Sequence, residues 1–428
     1  MDKNIPQIRF RGFEEQWVEK ILGEIGTFKS NGVDKTINVQ DTPINLLNYM
    51  DVYKRRKVTP LNCEELMQVT ATNRQLKEND VQAGDVFFTP SSETADDIGH
   101  VSVIEENLPR TCYSYHLMRF RPNQGEFYKI FPNYSFASEA VRKQLVFEAQ
   151  GVQRFVISKE SFENIRVSLP SLPEQEKIGE LFRNLDNLID EEQKRLDKLR
   201  ALKAALLQKM FPSDNPDNTL NGGGNSLIMS DLRISENFIT PWKKIYLKDV
   251  CQVQNGFAFH STSFIKSGIP IIRIADIYNG EVNTDNSVCC TMELDSQFEI
   301  VQGDFVIAMS GATVGKIGIY NDTKKAYINQ RVGKFVVNRE KAIPLFIFYA
   351  LQGKTFEYYI YSTLTMGAQP NISAQQIEAF EFYIPSNREE QQQIGNFFRT
   401  QDEQIAHTAQ YITSLRTIRT ALLQKMFV

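Results

Sequence analysis

The sequence predicts an α+β protein: two tandem α/β domains, each followed by a long helix, with the two helices pairing as an antiparallel coiled coil. Three observations predict it. One module is written twice along the 428 residues, each copy opens with strand-and-turn texture, and each closes on a heptad pattern.

The repeat is read directly. Leu206-Leu207-Gln208-Lys209-Met210-Phe211 recurs as Leu422-Leu423-Gln424-Lys425-Met426-Phe427, and the match runs upstream through Arg183/Arg399 and Asp186/Asp402 to Gln175/Gln391. The starts also match, with Phe13, Trp17, Leu22 and Ile25 falling on Phe238, Trp242, Leu247 and Val250. The spacing shrinks from 225 at the starts to 216 at the ends, so the second copy is shorter inside its globular part. The boundaries that follow are a first domain at 1–169, a central helix at 170–211, a linker at 212–235, a second domain at 236–384 and a C-terminal helix at 385–428. The linker is assigned from its Pro, Asn, Asp and Ser content and its three consecutive glycines, which read as flexible.

Within each domain, short runs of Val, Ile, Phe and Tyr are broken by turn residues. Strands are expected at 85–88, 115–120, 269–274, 304–309 and 334–337, and helices near 138–150 and 343–361. Val81-Gln82-Ala83-Gly84-Asp85 and Val301-Gln302-Gly303-Asp304 are corresponding turns into apolar strands. Different polar loops follow them: Ser91-Ser92-Glu93-Thr94 in the first copy, a Gly-rich Ser310 to Lys316 in the second. Gly311 to Lys316 is too short for a phosphate-binding P-loop and lacks its following Ser or Thr.

The helices are expected to begin after Pro170 and Pro173 in one copy and after Pro385 in the other, with acidic residues in their first turns. Steps of four and three pick out Ile178, Phe182, Leu185, Ile189, Leu196, Leu199 and Leu206 as one seam. In the second copy they pick out Ile394, Phe398, Ile405, Ile412, Leu415 and Leu422. Polar residues interrupt both seams at the same places, Glu192/Thr408 and Lys203/Arg419, as register-fixing positions do. Taken from Glu174 to Met210, the first helix spans about 55 Å at 1.5 Å per residue, a rigid spacer between the two domains.

Composition narrows the chemistry. Five cysteines without a C-x-x-C pair and four scattered histidines offer no metal site, and the cysteines read as reduced packing residues. The polar N-terminus has no apolar signal region and no apolar run spans a bilayer, so a cytoplasmic protein is expected. A net charge of −4 means that any nucleic-acid surface must gather its basic residues on one face or borrow them from partners. Candidates are the cluster Lys54-Arg55-Arg56-Lys57, the loop residues Ser91, Ser92 and Thr94, and Gln153 with Arg154 in the first copy. The second copy offers Arg273, Ser310, Thr313, Lys316, Gln330, Arg331, Gln369 and Asn371. Lysine and arginine bind phosphate or the acceptor edge of guanine, and amides suit adenine.

In the order and duplication of its motifs the chain resembles the HsdS family, the specificity subunits of type I restriction-modification systems. The motifs are the Phe-x-x-x-Trp entry to each half, the Gly-Asp turn, the Asn-Gln-Arg-Val-Gly segment and the Pro-Ser approach to each Glu-Gln helix start. The resemblance implies two target recognition domains that each read half of a bipartite DNA target in the major groove, with the helices setting an unspecified gap. It also implies partners: double-stranded DNA, two modification subunits that methylate adenine and two restriction subunits. The chain itself would carry no cofactor, S-adenosylmethionine belonging to the modification subunit and ATP and Mg to the restriction subunit. Two other classes stay open at this stage. A free-standing methyltransferase would need an Asn-Pro-Pro-aromatic or Asp-Pro-Pro-aromatic turn, which is missing, and a nuclease would need a strand carboxylate to pair with Glu192-Gln193-Lys194, which falls within the helix. A coiled-coil scaffold without DNA is set aside only by a binding test.

Overall fold

A computed structural model describes residues 4–211, 242–364 and 370–428. The segment read as a linker, together with Phe238 and Gln369, lies outside the described residues. The chain divides into two compact units, Met1–Lys194 with Gln410–Val428, and Arg195–Ala409. Each unit therefore contains one globular domain and a piece of both long helices.

The first unit holds a four-stranded sheet ordered Gly26–Lys29, Met118–Pro122, Val86–Phe88, Val101–Val103, and a three-stranded sheet ordered Met67–Ala71, Thr42–Leu47, Thr111–Tyr113. A ribbon of Val18–Ile21 against Arg166–Leu169 ties its entry to its exit. The second unit repeats the plan. Cys251–Asn255, Val332–Val337, Phe305–Ala308 and Ile317–Ile319 run side by side in a larger sheet, Ile269–Ile272 and Ala326–Ile328 pair in a second, and Trp242–Tyr246 closes on Glu381–Pro385. The apolar runs expected as strands are the buried ones: Val86, Phe87 and Phe88 in one unit, Phe305 to Ala308 in the other. The Gly-Asp turns feed these strands, and Asp85 and Asp304 anchor them through Arg121 (2.6 Å) and Lys334 (2.7 Å).

Local differences from the sequence reading have physical causes. Strand structure at 115–120 begins only at Met118, because Tyr115 and His116 occupy a turn after Thr111–Tyr113. The helix expected near 343–361 is two, Pro344–Ala350 and Lys354–Thr363, with Gly353 as the N-cap of the second. The first long helix runs Leu172–Met210, so Pro173 lies in its first turn, where an N–H would have no partner, and not before it. The second runs Arg388–Lys425. All five cysteines are free and buried. Burial raises the Cys112 thiol to about 11 and pushes Cys251 up as well, as expected of packing residues.

Both helices cap and dock in the same way. Gln175 donates to the Pro170 carbonyl (3.1 Å) and accepts from the Tyr128 N–H (2.9 Å). Gln391 donates to the Pro385 carbonyl (2.9 Å) and accepts from the Ile343 N–H (2.9 Å). One turn on, Gly179 and Gly395 let a domain helix cross closely. A Cβ there would lie 3.2 Å from Ile130 in one unit and from Leu345 and the Phe346 nitrogen in the other. That close crossing accounts for glycine in a helix interior, where it costs about 1 kcal/mol relative to alanine.

Within each unit the helix pieces run antiparallel. In the first, Asp186 meets Arg419 (2.5 Å) and Gln193 meets Arg416 (3.2 Å), while Phe427 lies against Phe182, Phe131 and Trp17 with ring centroids 5.8–6.1 Å apart. In the second, Lys203 meets Asp402 (2.5 Å) and Phe211 lies against Phe398, Phe346 and Trp242 at 5.5–6.3 Å. The two cores are thus completed by the same aromatic of the repeat, each delivered by the helix that follows the other domain. One departure stands out. Trp242 donates its indole N–H to Glu390 (3.0 Å), whereas the equivalent Glu174 is held by both arms of the Arg9 guanidinium (2.7 and 2.8 Å). The buried Trp17 indole nitrogen has no partner among the described residues.

The seam positions are all withdrawn from solvent to some degree. Ile178, Phe182, Ile189, Leu196, Leu206, Ile394, Phe398, Ile412 and Leu415 are buried, while Leu185, Leu199, Ile405 and Leu422 are half-buried. Ile178 and Phe182 belong to the first domain's core, and Ile394 and Phe398 to the second's. The upper seam thus serves the domain and the partner helix at once. The polar interruptions are paired: each cation at Lys203 or Arg419 meets an aspartate that also accepts a tyrosine hydroxyl, Tyr349 to Asp402 (2.8 Å) and Tyr134 to Asp186 (3.1 Å). Burial first and the neighbouring aspartate second raise both phenols above their usual value, so they remain donors.

Candidate nucleic-acid interface

In each unit, loops at the ends of the central strands away from the Gly-Asp turn gather into one edge. In the first, Ser91 pairs with Val156 and its hydroxyl accepts from Arg154 (3.0 Å), while the Ser91 carbonyl accepts from Tyr49 (2.8 Å). Gly151 opens the turn that carries Gln153 and Arg154. Its φ of +149° and a Cβ site only 2.0 Å from the Arg154 carbonyl exclude other residues. Gln153, Arg154 and Thr94 are exposed, whereas Ser92 is buried, its hydroxyl accepting from the Thr94 N–H (3.4 Å).

The short helix Tyr49–Tyr53 begins with a capping box in which the Asn48 N–H donates to Asp51 (2.9 Å). Its two tyrosine rings stack at 5.9 Å, and Tyr53 lies 4.5 Å from the His100 ring. Asp97 accepts from both His100 (2.8 Å) and Tyr53 (3.1 Å), and the His100 bond leads in holding its carboxyl below the usual range. The basic run after this helix is not one patch. Arg56 is paired with Glu65 (2.6 Å) and Asp51 (3.5 Å), while Lys54, Arg55 and Lys57 are exposed, Arg55 in a left-handed backbone conformation (φ +49°).

The second unit builds its edge on the same frame. Ser310 bridges to Asn371, the Gly311 N–H donates to the Pro370 carbonyl (3.0 Å), and the Met309 N–H donates to the Arg331 carbonyl (2.9 Å). Ser310, Asn371 and Arg331 are therefore brought together by the backbone, as Ser91 and Arg154 are in the first unit. Ser310 is buried, and its hydroxyl has no partner among the described residues. Gln330, Arg331, Lys316 and Asn371 are exposed. Lys316 reaches over the Tyr278 ring (5.6 Å), and the Thr313 hydroxyl donates to the Ile274 carbonyl (3.2 Å). Arg273 is engaged at home: its N–H donates to Asp276 (2.8 Å), in the way Asn48 bonds Asp51, and its guanidinium grips the same carboxylate at 3.2 Å. Among the described residues there is no cluster of three metal-ligating side chains.

The edges are alike in backbone and different in side chain, with donors and acceptors exposed on each. Such an edge suits base or phosphate contact more than enclosed chemistry. A family described as the type I restriction modification DNA specificity domain matches residues 14–201 and again 239–416. The chain is 26% identical over 257 residues to the type I restriction enzyme MjaVIII specificity subunit of Methanocaldococcus jannaschii, spanning 58% of each. It is 28% identical over 137 residues to the EcoBI specificity subunit of Escherichia coli, covering 32% of this chain and 27% of that one. In fold it is similar to the S subunit of a type I restriction-modification system from M. genitalium, with a TM-score of 0.62, 13% identity and 99% of both chains covered. A second solved structure, of a type I system complex, gives a TM-score of 0.55 at 17% identity, covering 97% of this chain and 98% of that one. With both halves matched in register with the repeat, the chain belongs to the type I restriction-modification DNA specificity family, HsdS.

Proposed function

We propose that this chain is the DNA sequence-specificity subunit of a type I restriction-modification complex. Each domain reads one half of a bipartite duplex target, and the paired helices hold the unspecified gap between the halves. The chain does no chemistry of its own. Two modification subunits, carrying S-adenosylmethionine, methylate adenine at the target, and two restriction subunits, using ATP and Mg, cleave the DNA. The observation that carries this reading is the duplicated loop edge, one backbone frame presenting different polar side chains, set on helices whose docking residues are the same in both copies. The names of the relatives in Methanocaldococcus jannaschii and Escherichia coli agree with it.

The test is the methylated-adenine pattern of DNA from cells expressing the chain with its modification subunit. A two-part motif with a fixed gap, lost on deletion of this chain, is the expected result. Methyl transfer by the purified chain alone, or a motif that survives the deletion, would overturn the reading.

A further inference from the structure

The turn Ser114-Tyr115-His116 of the first domain and the turn Asn329-Gln330-Arg331 of the second are one structural position. The Ser114 N–H donates to the Leu47 carbonyl (2.9 Å) and the Asn329 N–H to the Ile272 carbonyl (3.0 Å). The next residue bonds back across the edge in both, Tyr115 to the Val33 carbonyl (3.3 Å) and Gln330 to the Phe257 carbonyl (2.9 Å). The segment it bonds to can approach so closely only through glycine. A Cβ on Gly32 would lie 2.4 Å from the Tyr113 carbonyl oxygen, and one on Gly256 would lie 2.3 Å from the Ile328 and Asn329 oxygens. The backbone is therefore pinned identically, while the second and third residues of the turn change from Tyr and His to Gln and Arg.

Neither aromatic side chain has a structural duty that accounts for it. Tyr115 is 47% exposed, and no hydrogen bond joins its hydroxyl or the His116 ring to another described residue. They stack on each other, ring centroids 4.0 Å apart. Partial burial first, then the cations Lys35 and Arg154, lower the His116 pKa against the opposing pull of Asp34. A neutral imidazole carries one donor and one acceptor, as the major-groove edge of adenine does, and the nearby cations would favour the adjoining phosphates.

We infer that Tyr115 and His116 read base edges of the first half-site, at the position that Gln330 and Arg331 hold for the second. This rests on the proposed function above and assigns a part of the first reading surface that no sequence motif marks.

The complex of full-length chain and modification subunit provides the test, with the methylated motif and the affinity for duplexes altered one base pair at a time as readouts. In Tyr115→Ala and His116→Gln, discrimination should fall about tenfold at one or two positions of the first half-site, the second half-site and the gap remaining as they were. Gln330→Ala should do the mirror image, and Tyr115→Phe should retain more discrimination than Tyr115→Ala. Unchanged motif and affinity in both first-domain variants would overturn the assignment. So would an equal loss at both half-sites with a lowered unfolding midpoint, which marks a structural role. A wild-type complex that yields no two-part motif would instead refute the functional reading on which the assignment stands.

Discussion

At the scale of single residues, the informative groups are charges placed where the pattern of the helix asks for leucine. Lys203 and Arg419 were visible in the sequence as paired interruptions, but their partners were not, since Asp402 and Asp186 fall outside the seam and on the opposite helix. Asp186→Ala strands a half-buried guanidinium and a tyrosine hydroxyl together, and Asp402→Ala does the same for an ammonium. Each should cost about 1–2 kcal/mol in chemical denaturation, allowing for partial solvent screening. A double-mutant cycle of Asp186→Ala with Arg419→Ala should show about 1 kcal/mol of coupling, and independent, additive effects would refute the pairing. A second residue-scale effect concerns pH. His116 stays neutral in the folded chain below the value of about 6.5 at which the unfolded chain binds a proton. Stability is therefore unaffected by this group well above that pH and falls as the pH drops through it toward the lowered folded value. His116→Gln should flatten this part of the stability profile between pH 7.5 and 5.5, and an unaltered slope would mean that the histidine titrates freely. Much of the candidate edge was legible as residue type, notably Arg154, Gln330 and Asn371. What composition could not reveal was which charges are already spent: Arg273 on Asp276, Arg56 on Glu65.

Among the secondary-structure elements, the long helices were the most legible, since a seam repeated in two copies needs no tertiary context to be seen. Their starts were less so. Proline reads as a stop in a sequence, yet Pro173 fits the first turn because no hydrogen bond is asked of it there. Likewise the apolar run through Ala350 and Leu351 hid a break that Gly353 makes between two short helices. The helix ends carry the sharper expectation. Phe427→Ala should destabilise the first unit by about 3 kcal/mol, and Phe211→Ala the second by a similar amount. Hydrogen exchange locates the effect: Phe427→Ala should lower protection around Trp17, Phe131 and Phe182, residues remote from it in sequence. Loss of protection around Trp242 and Phe346 in that variant would contradict the packing described.

For the molecule as a whole, the repeat was plain in the sequence, but the assignment of tails to cores was not. The expected antiparallel pairing puts each helix end beside the start of the other helix, but nothing in the shared hexapeptide shows that Phe211 and Phe427 enter the cores there. The consequence for the proposed spacer is specific. A seven-residue insertion in one helix alone would set the Asp186–Arg419 and Asp402–Lys203 pairs in conflict. Matched insertions after Lys194 and after Ala409, at the boundaries of the compact units, would preserve both. The matched variant should lengthen the gap of the methylated motif by about three base pairs, at 10.5 Å per inserted heptad, and leave both half-sites intact. Altered half-sites with an unchanged gap would refute the helices as the spacer. The exchange of tails also bears on the order of events during synthesis. The second unit is continuous from Arg195 to Ala409, whereas the first must wait for Phe427. At about 5–20 residues per second, roughly 10–50 s separate the emergence of Phe182 from that of the ring that covers it. The core of the first unit therefore closes only after the second unit has been made, and a ribosome that stops early releases a first domain whose core is still open.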